Sequence, residues 1–168
     1  MKEVAILLLL ALLLNGCGSS RPTVQGGAGG IWQAELFGGS GSASGFSFIT
    51  EFTVNQSGPL DISSFQFLTL NSNNGSSCFQ ISGPTVSGTM PLQVQTNDTV
   101  TGTINFVVQS GGNMLTLIGT VTGTATESGS STNASYTLTS ATISGTWSST
   151  GTGCTGGGSF TMTQASTA

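Results

Sequence analysis

Few side chains in this 168-residue sequence can do chemistry. They are three cysteines, six acids and two basic residues, Lys2 and Arg21, with no histidine. Acid–base catalysis draws mostly on histidine or on a tuned carboxylate or lysine. Here the acids are scattered, and Glu35 and Glu51 fall in the polar phase of alternating segments. A carboxylate pair for glycoside hydrolysis would have to be assembled from Asp61 and Asp98, which no motif supports. Oxygen atoms at Asn97–Asp98 or Asp61 offer calcium only single acids, and these make weak sites. Cysteines without histidine make a poor zinc site. No glycine motif precedes a helical segment, which removes a phosphate-cradling loop. The sequence therefore predicts a protein that is not an enzyme, with no catalytic residue, no metal and no cofactor.

Cys17 has its own context, "LLLNGCGSS". The apolar run Val4–Leu14 holds 11 residues, against the roughly 20 that a membrane-spanning helix needs. A short charged start (Lys2, Glu3) precedes it and small residues follow, as in a secretory signal peptide. Leu14-Asn15-Gly16-Cys17 resembles the lipobox of bacterial lipoproteins: leucine, a variable residue, a small residue, cysteine. The resemblance covers residues 1–17 and implies cleavage after Gly16 and acylation of Cys17. Two or more acyl chains hold a protein firmly on a membrane, where one binds only marginally. Gly18 stands where the family's inner-membrane retention signal places Asp, so the resemblance implies an outer-membrane address, on its periplasmic or its cell-surface side.

Setting Cys17 aside leaves Cys78 and Cys154, an even pair in an oxidising compartment. A disulfide is the leading reading, with two free buried thiols as the alternative. The residues after Gly16 carry one basic side chain, Arg21, against five acids. Nucleic-acid affinity rests on Lys and Arg neutralising phosphates, so nucleic acid is excluded as a partner. The partners expected are the membrane, through the anchor, and an envelope protein or an apolar small molecule.

Three segments follow: a signal peptide at 1–16, a lipidated cysteine with a Gly/Ser-rich tether at 17–30, and an all-β domain at 31–168. In "GFSFITEFTV" Phe46, Phe48, Phe52 and Val54 share one phase, while Ser47, Glu51 and Thr53 share the other. Such a period of two marks a strand with one buried face. Strands are predicted near 31–37, 44–55, 64–70, 78–82, 85–96, 98–109, 114–127 and 135–148, with a ninth at 158–164. Asn74-Gly75 signals a two-residue hairpin turn. It would set Leu70 opposite Phe79 and Leu68 opposite Ile81, although Phe65 and Phe67 then fall on the other phase. Pro84 and Pro91 confine residues 78–96 to an edge or a bulge.

The motifs "TVSGT" (85–89), "TVTGT" (99–103 and 120–124) and "TISGT" (142–146) recur at uneven offsets, which suits a meander better than a solenoid. In each, a glycine (Gly88, Gly102, Gly123, Gly145) lies in the apolar phase. Such glycines let strands bend and barrels close. The alternative is that they leave room for a ligand. The expected architecture is an antiparallel meander closing into a single β-barrel of about eight strands, with a β-sandwich as the alternative. The outer phase is threonine rather than a lipid-facing apolar band, which argues against a membrane-embedded barrel. "GIWQAEL" resembles the Gly-x-Trp on the first strand of lipocalin- and avidin-type barrels. That resemblance implies an apolar ligand held among Trp32, Phe48, Phe52, Met90, Phe106, Trp147 and Phe160. A barrel of eight strands can instead be filled by its own side chains. The sequence thus predicts a lipid-anchored envelope protein with a structural or surface role, or a small ligand-binding barrel.

Overall fold

The computed structural model describes residues 30–37, 46–55, 61–72, 78–81, 83–95, 97–129 and 135–167. The signal peptide, the lipobox with Cys17, the tether up to residue 29 and Asn74-Gly75 lie outside the described residues.

Among the described residues there are nine strands: β1 (Gly30–Phe37), β2 (Phe46–Asn55), β3 (Asp61–Ser72), β4 (Thr85–Thr89), β5 (Leu92–Val94), β6 (Thr99–Ser110), β7 (Asn113–Ser128), β8 (Ser135–Thr150) and β9 (Gly156–Thr167). All ladders are antiparallel, and β9 returns to pair with β1 from Gly30↔Thr167 to Phe37↔Ser159. The sheet is therefore a meander that closes on itself. β4 and β5 both lie along β6, at Thr85↔Gln109 to Thr89↔Asn105 and Leu92↔Gly102 to Val94↔Val100. They share one place in the wall, so the barrel has eight positions. Pro91 lies in the break between them, lacking the N–H that a ladder requires. Among the described residues the wall is incomplete only between β3 and β4, which are paired at the single position Asp61↔Thr89.

Alternation builds this wall. Along β8, Ala141, Ile143, Trp147 and Ser149 point inward while Thr142, Ser144, Thr146 and Ser148 meet solvent. The hydroxyl face also bonds across strands: Thr124 Oγ1 lies 2.9 Å from Ser140 Oγ, and Thr53 Oγ1 lies 2.7 Å from Ser64 Oγ. Cross-strand pairs of this kind stabilise the wet side of a sheet. The β6–β7 hairpin turns on Gly111-Gly112, with φ of 60° and 83°. These are the left-handed values that a two-residue turn between twisted strands demands.

Residues 78–81 of the strand predicted at 78–82 form no strand, and Ser82 lies outside the described residues. Cys78–Ile81 instead crosses one end of the barrel, and Leu70 and Leu68 do not face Phe79 and Ile81. β3 pairs with β2, and two register shifts explain the conflicting phases, at Ile49/Thr50 and at Thr53/Val54. Each shift adds one residue on β3, and an added residue moves the following side chains to the other face. Ile62, then Phe65 and Phe67, then Leu70 all reach the core despite their mixed parity, and Leu68 is turned outward. The predicted strand 85–96 is likewise broken into β4 and β5.

The barrel has two distinct ends. The lower end holds the start of β1, the end of β9 and the β5–β6 turn. In that turn Gln95 N donates to Thr99 O at 2.7 Å, and Asp98 takes a φ of 61°. The upper end holds Phe37, the Gly111-Gly112 turn, the β8–β9 loop and the crossing segment Cys78–Ile81. There Cys78 and Cys154 form a disulfide, with Cα atoms 5.4 Å apart and a sequence separation of 76. The bridge ties the crossing segment to the β8–β9 loop.

Candidate functional site

The residues expected to line an apolar pocket all point into the barrel and are fully or almost fully buried: Trp32, Phe48, Phe52, Met90, Phe106, Trp147 and Phe160. Several of them pack on one another or on further core rings, and Phe160 lies against a glycine. Trp32 of β1 stacks on Phe52 of β2 with ring centroids 5.4 Å apart, at an interplanar angle of 15°. Phe52 in turn meets the edge of Phe106 of β6, again at 5.4 Å. β1 and β6 lie on opposite sides of the barrel, so this chain of rings spans the interior. A second cluster joins Phe48 to Phe67 at 5.1 Å and Phe67 to Phe65 at 5.1 Å. Aromatic pairs at such spacings add attraction beyond the area they bury.

The inward glycines do not open space for a guest. A Cβ on Gly88, Gly123 or Gly145 would strike a backbone carbonyl of the neighbouring strand, at Asn105 O, Ser140 O or Ile118 O respectively, and one on Gly102 would strike Pro91 O in the break between β4 and β5. Gly145 and Gly119 face each other across β8 and β7, and Gly145 also pairs with Phe160 of β9. The ring of Phe160 lies over this glycine pair, since a Cβ on Gly119 would stand 3.2 Å from Phe160 Cζ. An aromatic ring laid over glycines restores the packing that the missing side chains would have supplied. The close approach of strands and the aromatic cover are two halves of one device for coiling the wall.

Polar groups inside the barrel are few. Thr50 is fully buried and its hydroxyl donates to Gln66 O at 2.8 Å, where β3 bulges. Trp147 Nε1 donates to Phe37 O at 3.0 Å, closing the upper end of β1 onto β8. Trp32 Nε1 is buried without a hydrogen-bond partner. A recess of about 400 Å³ lies at the upper end, lined by Gly83 and residues 109–114. It is apart from the aromatic interior.

The titratable groups do not assemble into a centre. Among the described residues no three His, Cys, Asp or Glu side chains stand close enough to hold a metal. Glu51 accepts a hydrogen bond from Gln66 Nε2 at 2.7 Å on the outer wall. Asn97-Asp98 serves the β5–β6 turn, where Asn97 Oδ1 accepts from Thr99 N. Tyr136 has its phenol pushed above the ordinary range, first by desolvation and then by the Glu127 carboxylate opposite it, to which it is hydrogen-bonded. Sequence reasoning put Phe65 and Phe67 on the phase opposite the apolar face of Leu68 and Leu70, whereas the structure buries both. Their signal was the Phe65–Phe67 alternation, which the Leu68–Leu70 phase outweighed.

No helix of the described residues is long and apolar enough to cross a membrane. No protein-family model, curated protein or solved structure matches this chain.

Proposed function

We propose that this chain is a lipid-anchored lipoprotein of the outer membrane whose β domain has a non-catalytic structural or surface-interaction role, with an envelope protein as its partner. The observation that carries this reading is the interior spanned by Trp32, Phe52 and Phe106, with the space over the glycines taken by Phe160. A barrel filled by its own side chains works through its outer wall. That wall is rich in Thr and Ser, with exposed Met114 and Ile118 on β7. The test is Cys17→Ser. The substituted protein is expected to leave the membrane fraction and appear in soluble fractions, and to lose its acyl mass. If it still sediments with membranes as fully as the parent, the lipoprotein reading is wrong.

One observation favours a second reading, a barrel that binds an apolar small molecule. Trp32 Nε1 is a buried donor without an acceptor, and leaving such a group unpaired costs about 1–3 kcal/mol. A mainly apolar, neutral molecule carrying one acceptor would satisfy it. Native mass spectrometry of protein taken gently from its own envelope then shows a bound mass that Trp32→Phe removes. A parent protein of unadorned mass rejects this second reading.

A further inference from the structure

Phe79 is the one buried aromatic side chain among the described residues that does not belong to a strand. It sits on the crossing segment Cys78–Ile81 and packs on Phe67 with ring centroids 6.3 Å apart. The segment is held at discrete points. Cys78 is bonded to Cys154, and Cys78 O accepts from Asn113 Nδ2 at 2.5 Å. Gln80 N donates to Ser110 Oγ at 2.7 Å, and that hydroxyl donates back to Gln80 O at 3.1 Å. Beneath it lies the weakest line of the wall. β3 and β4 run side by side but share only Asp61↔Thr89, whereas β7 and β8 pair from Met114↔Thr150 to Ser128↔Ser135. Their one shared position is at the start of β3, so towards the upper end no ladder bond joins them. Phe79 closes that end over Phe67, with Phe65 next to it.

We infer that the Phe79 slot at the β3–β4 seam is an exchangeable apolar site. The chain's own ring fills it while the Cys78–Cys154 bridge holds the crossing segment, and an uncharged apolar molecule takes it when the segment lifts. Regions held by few ladder bonds open at lower free energy than the rest of a fold. Here the β3–β4 seam meets that description, and the disulfide limits how far it opens. Uncharged ligands are selected because the slot is walled by Phe65 and Phe67, with no charged group among the residues that hold the segment. The inference concerns the barrel alone and holds whether or not Cys17 is acylated.

The test uses the chain carrying Cys17→Ser, which keeps every described residue and needs no detergent micelles, with neutral Nile red as the probe. Adding Cys78→Ala and Cys154→Ala should lower the apparent Kd for the dye roughly tenfold or more, because the open form is more populated. Amide exchange should quicken in β3 and β4 while β6, β7 and β8 stay protected. Phe79→Ala, with the disulfide intact, should instead bind benzene, because the slot it leaves is about one ring in size. A paired cysteine variant whose exchange rises alike in β6, β7 and β8, or that does not fold, would assign the bridge to the whole barrel and overturn the latch. A Phe79→Ala chain that binds no more benzene than its parent would overturn the slot.

Discussion

Gly145→Ala is expected to destabilise the β domain by about 3 kcal/mol, the upper end of the usual cost of overpacking. For a domain of this size that is a fall in Tm of roughly 6–12 °C. The reason is what the added methyl meets. It would lie against Ile118 O, 2.5 Å from Gly119 Cα and 2.8 Å from Ile118 C, all backbone atoms of β7. A flexible side chain could rotate away, but a strand paired on both sides cannot. Relief would require β7 and β8 to move apart in the middle of their ladder and would lift Phe160 from its glycine bed. Thermal unfolding followed by circular dichroism measures the effect. A loss below about 1 kcal/mol would mean that the strands yield easily there, and that the glycines are not what allows the wall to coil.

Phe52→Ala separates a filled interior from a ligand chamber. Removing a buried phenylalanine costs about 3–5 kcal/mol when its site cannot collapse. Total stabilities are only about 5–15 kcal/mol, so the variant should be close to unfolding at growth temperature. Phe52 is fully buried, stacked on Trp32 and in edge contact with Phe106, so its loss breaks the row of rings across the barrel at its middle. Neither neighbour can fill the gap without leaving its own strand register. Urea unfolding should show the midpoint lowered with the slope unchanged, since the surface exposed on unfolding is nearly the same. A loss under about 1 kcal/mol would mean that Phe52 borders open space, and would move the balance towards the ligand-binding reading.

The two substitutions act on the same construction from opposite sides. Gly145 marks where a wall strand comes too close to allow a side chain, and Phe52 marks where the lumen needs a large one. A barrel of this size has little room left once both demands are met. On the surface-interaction reading proposed above its role would fall to its surface and ends, and the upper end, with its bridge and crossing segment, is the part least constrained by ladder bonds.

Much of this was open to inspection in the residues themselves. Alternation along Phe46–Val54 and the recurring Thr-x-x-Gly-Thr motifs located β2, β4, β6, β7 and β8, because a half-buried strand writes its two faces into sequence with a period of two. The same period put Gly88, Gly102, Gly123 and Gly145 on the inward side, and cysteine arithmetic paired Cys78 with Cys154. Other features were decided only by tertiary contact. The bulges of β3 shift phase within a few residues, so Phe65, Phe67 and Leu70 all turn inward where a single period would have split them. Asn74-Gly75 is a local hairpin signal, yet Cys78–Ile81 makes no ladder with β3, because its partners are Cys154, Asn113 and Ser110 on distant strands and loops. Whether the inward glycines meant a cavity or a close approach also lay beyond the sequence. A missing side chain looks the same in either case, and only the position of the neighbouring strand's carbonyl and of the Phe160 ring tells them apart.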